Sequence, residues 1–249
     1  PKRERQELSY YIKFLERIED EKLKNVLRII LSRTARSCRA TKHSDLATLT
    51  EPQIGPYYCP KHKKICTPIN SIIKHLIRYT YDNIKRLKEF SALKKDVYAE
   101  VIHGDSREVN LFDEIKKQNQ EFSKILLNKK IDGVFTSPPY VGQIDYHEQH
   151  AYAYELFDIP RKDNKEIGPL FNGQGQKAKD EYVEGISKVF ININRFIKDD
   201  GDFFIVANDK YNLYPIIAEK SGLKIVEQFK RPVLNRTERD RQPYAEIIF

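Results

Sequence analysis

The sequence predicts an α/β protein: a doubly wound sheet of strands alternating with helices, preceded by a helical, basic N-terminal region. Three observations carry that expectation. Up to about position 95 the apolar residues recur at the i, i+3, i+4, i+7 spacing of helix faces. From Val97 onward, short β-branched and aromatic runs alternate with helical stretches, as in a sheet with crossover helices. Charge divides at the same place. Residues 1–95 hold 22 Lys/Arg against 10 Asp/Glu, a balance of +12; the whole chain carries +8, so the remainder carries −4. The boundary is therefore drawn between a helical region, 1–95, and an α/β region, 96–249.

Taken in order, Leu8, Tyr11, Ile12, Leu15 and Ile18 predict a helix over 8–18, and Leu23, Val26, Leu27, Ile30 and Leu31 a second. Residues 32–67 fall into an irregular mixture of Arg, Thr, Pro, Gly and Cys. Pro68 then opens a long helix carrying Ile72, Ile73, Leu76, Ile77, Ile84 and Leu87, at a position where a helix tolerates proline. Residues 97–102 read as a strand, 111–127 as an amphipathic stretch and 131–135 as a second strand. Tyr182, Val183, Ile186, Phe190, Ile193 and Ile197 predict a helix over 179–198. A strand at 203–207, a helix near 212–221 and strands near 223–229 and 245–249 complete the chain. With no evident helix between them, the last two strands suit an antiparallel pair at a sheet edge.

Composition narrows the function classes. With 32% charged and 11% aromatic residues, the chain is globular rather than disordered. No apolar run approaches the ~20 residues that cross a bilayer. The start, Pro1-Lys2-Arg3-Glu4-Arg5, has no apolar signal core, and three cysteines cannot all pair. Both point to a reducing, cytoplasmic setting. A basic half beside a mildly acidic one predicts a nucleic-acid surface, against the plainer reading of solvated Lys-rich helix faces. The absence of methionine, initiator included, predicts a partial or processed chain, or one whose methionines are missing from the sequence as written.

The chemistry is expected in residues 131–140, IDGVFTSPPY. An apolar strand ends there in a polar pair, two prolines and an aromatic residue. Ligands of open α/β sheets bind beyond the carboxyl ends of the strands. Successive prolines stiffen the loop and donate no N–H, which leaves carbonyls to accept from an exocyclic amine. Ser137 adds a polar contact or a proton relay, and Tyr140 offers a face on which a flipped-out base can stack. A simple turn after a buried strand is the bland alternative.

This segment resembles motif IV of the DNA amino-methyltransferases, whose loop reads Asp/Asn/Ser-Pro-Pro-Tyr/Phe. The resemblance implies Ser137, Pro138, Pro139 and Tyr140 as the catalytic set. It also implies S-adenosylmethionine as methyl donor, double-stranded DNA as partner and a Rossmann-like class I methyltransferase sheet. The Thr-Ser-Pro-Pro-Tyr form is most similar to the enzymes that make N4-methylcytosine; adenine-N6 enzymes more often carry Asp first. His103-Gly104-Asp105-Ser106 resembles the acidic turn at the cofactor's adenine, placing Asp105 and Ser106, with Thr136, on the cofactor side. Tyr146 and His147 resemble a DNA-touching continuation. Arg236 and Arg239, in the run 235–241, are similar to later motifs that meet phosphates or flanking bases. Packing of the aromatic residues and solvation of the charge run are the competing readings.

Two features stand apart. No Phe-x-Gly-x-Gly turn follows a first strand; Gly173 and Gly175 lie after the catalytic loop and read as a mobile loop over it. The sheet is thus expected to be incomplete, with the cofactor's glycine motif on a partner chain or an N-terminal segment. Second, Cys59, His62 and Cys66, spaced C-x2-H-x3-C, join Cys38 as a tetrahedral set for a structural zinc, against unligated cysteines packed on helices. Basic residues around them, Arg36 and Arg39 included, make this segment a candidate for target recognition. The expected function is methyl transfer to an exocyclic amine in duplex DNA, cytosine N4 first. The rivals are an adenine-N6 or RNA methyltransferase and a non-catalytic DNA-recognition subunit.

Overall fold

A computed structural model describes residues 2–38, 53, 55–60, 62–67, 71–233 and 244–249. In chain order the elements begin with α1 (Lys2–Leu15), α2 (Glu21–Ser37), β1 (Tyr57–Cys59), β2 (Lys64–Cys66) and α3 (Ile73–Leu93). They continue with α4 (Leu111–Gln118), α5 (Gln120–Lys129), β3 (Ile131–Thr136), α6 (Tyr146–Gln149) and α7 (Ala151–Phe157). The last are α8 (Gln176–Asn194), β4 (Ile197–Ala207), α9 (Tyr214–Lys220), β5 (Phe229–Val233) and β6 (Tyr244–Ile248). Two compact units form: Pro1–Asp96 with Tyr146–Asn164, and Val97–Asp145 with Lys165–Phe249. The segment 146–164, downstream of the boundary drawn from sequence, thus packs with the helical unit, where α7 lies against α2.

In the helical unit, Asp20 ends the approach to α2 by accepting from the amides of Lys22 (2.9 Å) and Leu23 (3.0 Å). Helix α2 runs on to Ser37, past the point where its apolar pattern fades. Thr34 is buried there and returns its hydroxyl to the Ile30 carbonyl at 2.8 Å, so a polar residue serves as core. Helix α3 starts at Ile73, with no side-chain cap of its own, and Pro68 lies outside the described residues. Glu7 of α1 takes the capping role, accepting from the Ile72 amide at 2.7 Å and the Ser71 hydroxyl at 3.1 Å. That bond to Ile72 is the main reason the Glu7 carboxyl titrates below its ordinary value. The lowered folded-state value means its stabilisation is complete above the usual carboxylate range and fades as pH falls through the folded value. Glu7→Ala is expected to cost about 1 kcal/mol at pH 7 and nothing measurable once Glu7 is protonated, read by urea unfolding at both pH values.

The second unit is built on a four-stranded sheet in the order β3-β4-β6-β5. β3 runs parallel to β4, while β6 is antiparallel to both β4 and β5. The expected antiparallel pairing of the last two strands is present, with β5 at the edge. Its strand begins at Phe229 rather than near 223, because pairing with β6 sets the register from Phe229↔Ile248 to Val233↔Tyr244. Residues 97–102 form no strand. Val97 and Val101 are exposed, and among the described residues no neighbouring strand offers them a ladder. The expected 111–127 stretch is divided at Asn119, whose side chain accepts from the Phe122 amide at 3.0 Å and opens a new helix.

Phe203, Ile205 and Ala207 on one face of β4 meet Tyr182, Val183, Ile186 and Phe190 of α8 and Ile217 of α9, forming the core. Alternation puts Phe204 on the opposite face, where it pairs across the ladder with Phe135 of β3. Both are exposed, Phe135 to 81%. Among the described residues the sheet therefore has one covered face, a second face that exposes Phe135 and Phe204, and no strand paired beyond β3.

Candidate active-site loop

The loop Ser137-Pro138-Pro139-Tyr140 leaves the carboxyl end of β3, beside the end of β4. Ser137 is exposed, Pro138 buried, and Pro139 and Tyr140 half-buried. Proline fixes the chain direction and supplies no N–H, so side chains from distant elements hold the loop. The Tyr182 hydroxyl of α8 donates to the Pro139 carbonyl at 2.9 Å and lies 3.0 Å from the Tyr214 hydroxyl. Both tyrosines are almost fully buried, and burial, then the neighbouring Tyr182, pushes the Tyr214 phenol far above its usual value. A neutral pair of phenols is thus a fixed donor chain beneath the loop.

Tyr140 is held at its other end. Its hydroxyl donates to Glu246 Oε1 at 2.7 Å, and Arg231 Nε donates to Glu246 Oε2 at 3.0 Å, with a second guanidinium contact to the same oxygen. Glu246 lies on β6 and is 4% exposed; Arg231 reaches in from β5. A buried carboxylate requires such partners. The pair therefore fixes the tyrosine ring at the sheet's carboxyl end while leaving the ring half-exposed.

A second segment clamps the loop from the side. The Gly142 amide donates to the Gly168 carbonyl at 2.9 Å, Gln174 Nε2 to the Gly142 carbonyl at 3.1 Å, and the Leu170 amide to the Ile144 carbonyl at 3.2 Å. The Phe171 amide donates to Asp145 Oδ1 at 3.0 Å, and Tyr211 hydrogen-bonds Gln174. Gly142 (φ +63°) and Gly168 (φ +65°) adopt the left-handed backbone that this close approach needs. In the Gly173–Gly175 segment, expected to be a mobile cover, Gln174 is tied to Gly142, two residues past Tyr140.

The remaining expected residues fall as follows. Asp105 is part-buried and grips Arg107, which donates from Nε at 2.9 Å and from its terminal nitrogen at 2.7 Å, with Lys165 3.7 Å away. The Arg107 hydrogen bond, with the other cations, holds its carboxyl at about 2. The Ser106 carbonyl accepts from Asn192 at 3.2 Å. Thr136 closes β3, paired with Ile205. Tyr146 and His147 belong to the helical unit; Tyr146 is 42% exposed, and the His147 ring lies 5.1 Å from Tyr154. Arg36 is exposed on α2, whereas Arg39, Arg236 and Arg239 lie outside the described residues.

In the same helical unit, Cys59, His62 and Cys66 converge, their ligand atoms all within 4.8 Å of one another. Cys38 does not join them. It ends α2, buried, where desolvation and the acidic side chains of Glu4 and Glu7 push its thiol to about 11.

Tyr182, Glu246 and Arg231 are the supports that sequence reading passed over. Tyr182 served only as a helix-face residue, and a lone acid in the apolar run 245–249 was the one signal for Glu246.

No family model matches the chain, and no solved structure is similar to it. A curated relative is. The Type II methyltransferase M.MjaII of Methanocaldococcus jannaschii is 61% identical over 245 residues, a match covering 98% of this chain and 46% of that protein. The chain thus spans about half the length of the relative it matches. Over 98% of its length, this chain is similar to a Type II methyltransferase.

Proposed function

We propose that this chain supplies the methyl-transfer end of a DNA methyltransferase, acting on an exocyclic amine of a flipped-out base, cytosine N4 first. The observation that carries the reading is the rigid Ser137–Tyr140 loop at the carboxyl end of β3, fixed through Tyr182 beneath it and Glu246 behind its tyrosine. With the Pro139 carbonyl engaged by Tyr182, the loop holds its shape before any base arrives, and the cost of ordering it is not charged to binding. The half-exposed Tyr140 ring gives the base a stacking face. Carbonyl oxygens of the loop accept from the amine and turn its lone pair outward. When the N–C bond forms, the nitrogen must shed a proton, and exposed Ser137 is the hydroxyl that relays it to solvent.

S-adenosylmethionine supplies an electrophilic methyl group on sulfonium sulfur. The residues present fit the transfer end of that cofactor better than its whole. Among the described residues the glycine run 173–175 opens α8 but follows no strand, and both oxygens of Asp105 are already gripped by Arg107. The reading therefore assigns the rest of the cofactor site to a further segment or partner chain that extends the sheet past β3 into a Rossmann-like one. Among the described residues no strand pairs with the outer side of β3, and Phe135 and Phe204 are exposed on one face of the sheet; both support this, since an unpaired edge and an uncovered apolar face invite a covering segment. Exposed Arg36 and Tyr146 are the described candidates for the DNA surface.

The product is tested by nucleoside mass spectrometry of duplex DNA treated with this chain, the sheet-completing segment and S-adenosylmethionine. N4-methylcytosine is expected. N6-methyladenine would replace the cytosine assignment, and unmodified DNA with methylated RNA would refute the DNA reading.

A further inference from the structure

The helical unit carries a cluster that methyl transfer does not use. β1 and β2 form an antiparallel hairpin of only three residues per strand, with Cys59 opposite Lys64 and Tyr57 opposite Cys66. Tyr58 (61%) and Ile65 (63%) are exposed, so the hairpin gains little from apolar burial. A two-stranded ribbon this short does not hold itself together in water. Yet Cys59 is fully buried and Cys66 8% exposed, and neither is in a disulfide.

The geometry of these side chains points to what holds the hairpin. His62 Nδ1 lies 3.7 Å from Cys59 Sγ and 3.4 Å from Cys66 Sγ. A neutral imidazole nitrogen carries one hydrogen or one lone pair, so it cannot make two good hydrogen bonds at once. A metal ion between the three atoms explains both distances. Zinc–sulfur bonds of about 2.3 Å and a zinc–nitrogen bond of about 2.0 Å on a tetrahedral centre put sulfur and nitrogen about 3.5 Å apart. The two observed separations bracket that value.

We propose that Cys59, His62 and Cys66 bind one zinc ion that closes the β1–β2 hairpin. Two thiolates and an imidazole favour zinc over calcium or magnesium, which take oxygen ligands. Binding releases the thiol protons and leaves no redox change. Cys38 is not a ligand. Among the described residues no fourth His, Cys, Asp or Glu joins the group. The role is structural, and it does not depend on what the chain methylates.

The test uses the full chain, purified reduced, stripped with a chelator and re-equilibrated with a slight excess of zinc. Elemental analysis is expected to return one zinc per chain. Cobalt substituted for zinc is expected to show thiolate-to-metal charge-transfer absorption and the visible bands of a tetrahedral site. C59S, H62A and C66S should each weaken binding at least ~100-fold, while C38S should bind as the parent does. Chelation should also expose residues 57–66 to protease. Should a ligand variant fail to fold, the zinc content and cobalt spectrum of the parent chain still decide. A reduced parent chain that takes up no zinc, or a cobalt spectrum without thiolate bands, would overturn the site. Loss of zinc in C38S to the extent seen in C66S would overturn the ligand set.

Discussion

Tyr140→Ala is expected to lower methyl transfer about 100-fold, equivalent to ~3 kcal/mol of transition-state stabilisation. In the proposed function the ring is the stacking face for the base, and its hydroxyl, 2.7 Å from Glu246, fixes the angle of that face. The two contributions separate. Tyr140→Phe keeps the face and loses only the bond to Glu246, which Arg231 continues to hold. It is expected to lose about 10-fold or less. Measured on the active assembly, the alanine change should fall mainly on kcat with saturating DNA. A loss in KM alone would make Tyr140 a binding residue without a part in orienting the amine.

The second large effect is on the clamp. Gly142 has φ +63°, and a Cβ there would lie 2.3 Å from the Gly173 carbonyl oxygen and 2.5 Å from Gln174 Cγ. The side chain could swing aside, but the backbone oxygen cannot without giving up the Gly142–Gly168 and Gln174–Gly142 bonds. Gly142→Ala is therefore expected to cost about 3 kcal/mol, from left-handed strain plus displacement of the 173–175 segment. Gly222→Ala is the control. It shares the positive φ (+68°) but has nothing within 4 Å of the added carbon. It should cost only the strain, about 1 kcal/mol. Equal losses in the two variants, measured by urea unfolding, would mean that the contact between the two loops is not what Gly142 protects.

How far the sequence speaks for itself depends on whether an interaction is local. The loop 136–140 is legible because its stiffness is written in adjacent prolines, and the Cys59–His62–Cys66 group because a short hairpin brings near neighbours together. Helix α2 overran its pattern since Thr34, polar by type, is buried and satisfied by its own helix. The expected strand at 97–102 failed for the opposite reason: its residues suit a strand, but a strand also needs a neighbour. Glu246 and Tyr182 stand 106 and 43 residues from their partners in the loop. No spacing rule reaches that far: the sheet order β3-β4-β6-β5 brings Glu246 to the loop, and the packing of α8 on the sheet brings Tyr182.

The central claim, that this chain performs the transfer but shares the cofactor with another segment, is tested most directly by labelled methyl transfer. The assay uses S-adenosylmethionine and duplex DNA, with this chain alone and with the sheet-completing segment added. The account expects incorporation only in the mixture, lowered there about 100-fold by Tyr140→Ala. Incorporation by this chain alone would contradict it, because the residues described would then hold the whole cofactor without a Phe-x-Gly-x-Gly turn after a strand. Full incorporation in the mixture with Tyr140→Ala would contradict it too, by moving the chemistry away from the loop.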